Sequence, residues 1–91
     1  MVTRELTIVN KLGLHARPAA MFVKVSGACD AEVTVEKDDE QVNGKSIMGL
    51  MMLAAGCGAK ITVTAEGKDE VKVIELLEAL VSGGFSEGAG K

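Results

Sequence analysis

The sequence predicts an α+β fold: an open-faced sandwich in which a four-stranded, mainly antiparallel sheet carries three helices on one face, in the order β-α-β-β-α-β-α. Segments that alternate apolar and polar residues recur at Thr3 to Asn10, Ala31 to Glu36, Gln41 to Asn43 and Lys60 to Ala65. That period of two marks strands with one buried and one wet face. Three other segments space their apolar residues helically and meet glycines or an N-cap residue at their ends. A chain of 91 residues has room for one domain, and with Phe22 and Phe85 as its only aromatics the core must be aliphatic.

Each element has its own signal. In the first strand Leu6 and Ile8 share a face, with Thr7 between them; Asn10 to Leu14 then turns the chain. Ala16 to Ser26 follows as the first helix, with Ala19, Phe22 and Val23 on one side and Gly27 as its stop. Ala31 to Glu36 and the short strand at Gln41 to Asn43 flank the polar run Lys37 to Glu40 and form a hairpin. Ser46 caps a second helix over Ile47 to Ala55, closed by Gly56 and Gly58, with Leu50, Leu53 and Ala54 facing the core. Lys60 to Ala65 is the fourth strand. After Gly67, Lys68 to Ser82 is the third helix, with Val71, Ile74, Leu77 and Val81 on its apolar stripe. The single domain spans 1–91, and the glycine-rich segment 83–91, with little to bury apart from Phe85, is expected to be a flexible tail.

Composition narrows the function. A formal charge of -3 and the lack of Trp and Tyr remove the basic footprint and stacking platforms of most nucleic-acid binders. No stretch approaches the roughly 20 apolar residues that span a bilayer, and Met1 to Glu5 has no signal-peptide character, so the expectation is a cytoplasmic protein without membrane insertion. Cys29 and Cys57 form no C-x-x-C pair, have no neighbouring His, and read as structural thiols. This also argues against a small metal-binding domain of similar element order, and nothing in the sequence demands a cofactor.

His15, the single histidine, stands where a turn meets a helix, in the run Gly13-Leu14-His15-Ala16-Arg17-Pro18. A helix start presents unpaired N–H groups and about half a positive charge, and Arg17 adds a permanent cation. Pro18 suits an early helical position that needs no N–H. An imidazole nucleophile in this setting suits an anion attached covalently to nitrogen; His15 is equally read as a surface residue capping the helix. Helix first turns commonly carry acids, as Asp69 and Glu70 do, yet His15 to Ala20 and Ser46 to Met51 contain none. Those two helix starts are open to an external anion or an acidic partner. Capping alone explains Ser46, whereas a phosphate there would repel an acidic partner. The second helix holds more apolar residues than one face can bury, which leaves Ile47, Met48, Met51 and Met52 near the surface as an adaptable contact area. Gly49 within that helix leaves space for another chain.

The segments Gly13-Leu14-His15-Ala16-Arg17-Pro18-Ala19-Ala20 and Val42-Asn43-Gly44-Lys45-Ser46-Ile47-Met48-Gly49-Leu50-Met51 together resemble the HPr family, the histidine-containing phosphocarriers of the bacterial phosphotransferase system. The match extends over roughly residues 2 to 82. The resemblance implies that His15 accepts a phosphoryl group on Nδ1 from phosphorylated enzyme I and passes it to enzyme IIA proteins, with Arg17 neutralising the phosphate. It implies a carrier rather than an enzyme, acting as a monomer. It makes Ser46 a candidate site for an ATP-dependent HPr kinase/phosphorylase, and Ala20, Ile47, Met48 and Met51 parts of a common docking surface. Thr7 to Leu14 and Met51 to Ala55 look similar to carriers of regulatory or nitrogen-related chains, whereas Pro18-Ala19-Ala20 looks similar to the sugar-transport pattern. The alternative is a regulatory protein-interaction module of a phosphotransfer chain not engaged in sugar uptake.

Overall fold

The computed structural model of the chain describes residues 1–86. Strands Val2–Thr7 (β1), Glu32–Lys37 (β2), Glu40–Asn43 (β3) and Lys60–Glu66 (β4) form one sheet in the order β1-β4-β2-β3. All three pairings are antiparallel: Leu6 lies opposite Ile61, and Val35 opposite both Val63 and Val42. The two central strands each bury one alternate set of side chains, Val33 and Val35 in β2 and Ile61, Val63 and Ala65 in β4, and leave the other set half-buried or exposed. Helices Ala16–Gly27 (α1), Ile47–Met52 (α2) and Glu70–Ser82 (α3) therefore cover a single face, which is the expected architecture. The core is aliphatic apart from Phe22 and Phe85. Among the described residues no helix is long and apolar enough to cross a membrane.

Several boundaries differ from the sequence reading, each for a local reason. β1 stops at Thr7 because Ile8 pairs instead with the loop ahead of β4: its N–H donates to the Ala59 carbonyl (2.8 Å) and its carbonyl accepts from Gly58 (2.7 Å). α2 ends at Met52 because Ala54 turns left-handed (φ 53°). Ala54 is thereby exposed, and only Leu50 and Leu53 of the expected trio reach the core. α3 begins at Glu70, whose carboxylate accepts from Gly67 N–H (3.1 Å). Its inward stripe is Val73, Ile74, Leu77 and Val81, so Val71, about 200° from Val73 around the helix, is 56% exposed. The Met1 ammonium, 2.9 Å from Glu70, and the Gly67 N–H hold that carboxyl below its ordinary range. At the C-terminal end, Gly84–Ser86 close a short 3-10 turn that buries Phe85, so the chain expected to fray from Gly83 is packed as far as Phe85. Residues 87–91 of the expected tail lie outside the described residues.

Candidate functional site

The loop between β1 and α1 is built around a glycine. Gly13 has φ 70°, and a Cβ on it would stand 2.3 Å from the Ala55 carbonyl oxygen and 2.7 Å from Gly56 Cα. Only glycine allows that turn and that approach together. Asn10, fully buried, donates from Nδ2 to the Gly13 carbonyl (2.8 Å), and the N–H of the buried Leu14 donates to the Ala55 carbonyl (2.9 Å). With the chain fixed on both sides of Gly13, His15 enters as the N-cap residue of α1 in extended conformation. It is half-buried, its side chain makes no cap hydrogen bond, and its carbonyl accepts from Ala19 N–H (3.0 Å). That is the first intrahelical bond, so the N–H groups of Ala16 and Arg17 precede the ladder, while Pro18 has none to satisfy. No acid lies in this first turn, and the Arg17 side chain is exposed. His15 lines a shallow depression with Leu12, Leu14, Met51, Ala54, Ala55 and Gly56. A helix end, a guanidinium and an imidazole at such a rim can receive an anion and stabilise it there.

Ser46 caps α2: its Oγ accepts from Gly49 N–H (3.0 Å), and its own N–H donates to the Asn43 carbonyl (3.1 Å). The loop before it is fastened to the sheet, since Gly44 N–H donates to the Val33 carbonyl (2.7 Å) and buried Ser26 donates to the Gly44 carbonyl (2.7 Å). Ser46 opens α2, whereas Met51, near its far end, and Ala54, in the turn beyond it, line the same depression as His15. Ile47, Met48, Met51 and Met52 are exposed as expected, and Ala20 is exposed on α1. Gly49 makes room for this chain's own β3 rather than for another chain, because a Cβ there would stand 3.2 Å from Val42 Cβ. Sequence reasoning assigned Leu12 to a turn and missed it: it is 69% exposed beside His15 and extends the apolar area. An apolar residue next to a glycine in a polar turn was the available signal. Cys29 is buried, but Cys57 is exposed with Sγ 3.7 Å from the Val9 carbonyl, which does not fit a core thiol. A larger hollow of ≈ 560 Å³, lined by Glu32, Thr34, Gln41, Asn43 and Lys45 among others, includes none of the predicted site residues. Among the described residues no cluster of His, Cys, Asp or Glu could hold a metal ion.

A family model described as the PTS HPr component phosphorylation site matches residues 2–83. The chain belongs to the HPr family. Phosphocarrier protein HPr of Neisseria meningitidis serogroup B is 47% identical over 88 residues, 97% of this chain and 99% of that one. HPr of Cupriavidus necator is 44% identical with the same coverage. The HPr-like protein Crh of Halalkalibacterium halodurans is 47% identical over 89% of this chain and 96% of its own. Among solved structures, HPr-C-His from Thermoanaerobacter tengcongensis matches with a TM-score of 0.93 at 43% identity, covering 97% of this chain and 99% of that one. Crh of Bacillus subtilis, described as a catabolite-repression protein forming a swapped dimer, matches with a TM-score of 0.74 at 44% identity over 92% and 97% of the two chains. Phosphocarriage within the phosphotransferase system is accordingly this HPr-family chain's general role.

Proposed function

We propose that this chain carries its phosphoryl group on His15, taking it from phosphorylated enzyme I and delivering it to enzyme IIA proteins in the cytoplasm. The observation that carries the reading is the placement of His15: the N-cap of a helix whose first turn has Arg17 and no acid, at the rim of a depression bordered by exposed apolar side chains. The neutral imidazole attacks phosphorus through Nδ1. The N–P bond forms as the bond from phosphorus to the donor breaks, and the donor atom leaves with that electron pair. Arg17 and the early N–H groups of α1 face the phosphoryl oxygens and offset their charge, which positions the group without further machinery. The chain is thus a covalently phosphorylated carrier, not an enzyme, and it works as a monomer without a cofactor. Leu12, Ala20, Ile47, Met48 and Met51 form the docking surface shared by successive partners. Ser46 is the regulatory position, open to an HPr kinase/phosphorylase; a phosphate there would lie on α2 at the end away from His15 and act on docking.

The likeness to Crh favours a second reading, a regulatory interaction module that does not feed sugar uptake. One experiment separates the two. The protein is incubated with phosphoenolpyruvate and the host's enzyme I, and intact mass and acid lability are read for wild type and His15→Ala. A single acid-labile phosphoryl group on wild type, absent from the variant, is the expected result. No phosphorylation by the host's own enzyme I would transfer the argument to the interaction module, and an acid-labile group surviving in His15→Ala would mean another acceptor.

A further inference from the structure

We propose that the Asn43-Gly44 peptide is a self-modification site, where the asparagine converts to aspartate or isoaspartate through a cyclic imide once the end of β3 detaches from β2. Asn43 is the exposed last residue of β3, paired with Thr34, and a glycine follows it. Asparagine before glycine is well suited to this chemistry, because no Cβ crowds the attacking main-chain nitrogen. The fold treats the two reacting groups differently. Asn43 Oδ1 accepts the Lys45 N–H at 2.8 Å, which polarises the side-chain carbonyl toward attack at Cγ. The Gly44 nitrogen is restrained instead: its N–H donates to the Val33 carbonyl at 2.7 Å, and the carbonyl of Gly44 accepts the buried Ser26 hydroxyl at 2.7 Å. Closure of the imide also needs the Gly44 nitrogen swung over Asn43 Cγ, which the extended backbone of a strand residue does not provide. Replacing the glycine would not relieve the hazard at no cost, since a Cβ on Gly44 would stand 2.5 Å from Val33 Cγ1. The packing that restrains the labile peptide therefore also requires it.

The chemistry needs only water. When β3 opens at this end, the Gly44 nitrogen gives up its proton and attacks Asn43 Cγ. The N–Cγ bond forms, the Cγ–Nδ2 bond breaks, and Nδ2 leaves as ammonia with a proton from water. Water then opens the imide. Addition at Cγ returns the normal main chain with an aspartate side chain, and addition at the main-chain carbonyl routes the chain through Cγ as isoaspartate. Overall one water is consumed and one ammonia released. The aspartate product keeps an acceptor for Lys45 and adds a negative charge to the hollow that already holds Glu32. The isoaspartate product inserts a methylene into the chain between Thr34's partner position and Ser46, whose N–H donates to the Asn43 carbonyl at 3.1 Å. Either change is irreversible and lies within three residues of the cap of α2.

The test incubates wild type, Ser26→Ala and Ile74→Val at neutral pH, folded and in urea above the unfolding transition, and follows conversion of amide to acid at Asn43 by peptide mapping. In urea all three should convert at one rate. Folded wild type should convert at least about thirtyfold more slowly, the equivalent of the two hydrogen bonds that hold Gly44. Ser26→Ala removes one of them and should convert about fivefold faster than folded wild type. Ile74→Val trims the buried core at α3, away from β3, and should leave the folded rate unchanged. No conversion at Asn43 in urea overturns the proposal, as does equal conversion in folded and unfolded wild type. Equal acceleration in Ser26→Ala and Ile74→Val would make global unfolding the gate and overturn the role of the β3 end. If Ser26→Ala fails to fold, hydrogen exchange of the Gly44 N–H in wild type decides: below the transition its rate and the conversion rate should rise together with urea, and conversion that moves independently of it overturns the gate.

Discussion

Arg17 stands in the first turn of α1 with its side chain exposed. Replacing it disturbs no core packing, so Arg17→Ala should unfold within about 0.5 kcal/mol of wild type. Its value to a relay arises when the phosphoryl group arrives, because a guanidinium at that point offsets charge that builds up during transfer. Loss of one such donor typically costs about a hundredfold in rate, and that drop is expected in rapid-quench transfer from phosphorylated enzyme I; equal rates would remove Arg17 from the site. His15 and Arg17 were legible because their chemistry resides in residue type and spacing: an imidazole, a permanent cation and a proline fit only certain positions of a helix start. Leu12 and Ala55 were not. One matters through exposure and the other through a backbone carbonyl, and both properties are set by the packing of Gly13 against a segment more than 40 residues away.

At the scale of elements, α2 illustrates which signals travel through sequence. Its beginning was readable, since Ser46 followed by an apolar run is an N-cap pattern, and the hydroxyl does accept from Gly49 N–H. Its end was not, because the left-handed turn falls on an alanine at position 54 rather than on a glycine. α3 shows the same division: a helical stripe was evident, but its rotation was misjudged, and Val73 rather than Val71 faces inward. The cap itself yields a paired prediction. Ser46→Ala removes the acceptor and should cost about 1 kcal/mol in thermal unfolding. Ser46→Asp keeps an acceptor and adds a negative charge where the helix end is positive, so its stability should be at least that of wild type. In transfer assays the order should invert: Ser46→Asp should raise half-saturation for phosphorylated enzyme I, and Ser46→Ala should leave it unchanged. An aspartate variant that transfers as well as wild type would end the regulatory reading of Ser46.

For the molecule as a whole, one face of one small sheet must carry the entire core, so every large side chain on that face counts. Phe22 and Phe85 are its only aromatics. Composition argued that the chain beyond Gly83 would stay loose, since glycine-rich segments bury too little to offset their ordering. Phe85 reverses that balance: it is 1% exposed, packed with the core that α3 contributes to, and held at φ 55° in a turn that is unfavourable for a side chain. A residue remains in that conformation only when the surroundings enforce it. Phe85→Ala should therefore behave as a core truncation, lowering the urea-unfolding free energy by about 3 kcal/mol. Alanine keeps the Cβ that makes the left-handed turn unfavourable, so the loss comes from the missing ring and not from the backbone. A chain of this size has about 5–15 kcal/mol in total, so the midpoint shift would be large. A loss below about 1 kcal/mol would place Phe85 outside the cooperative unit, with the fold closing at α3.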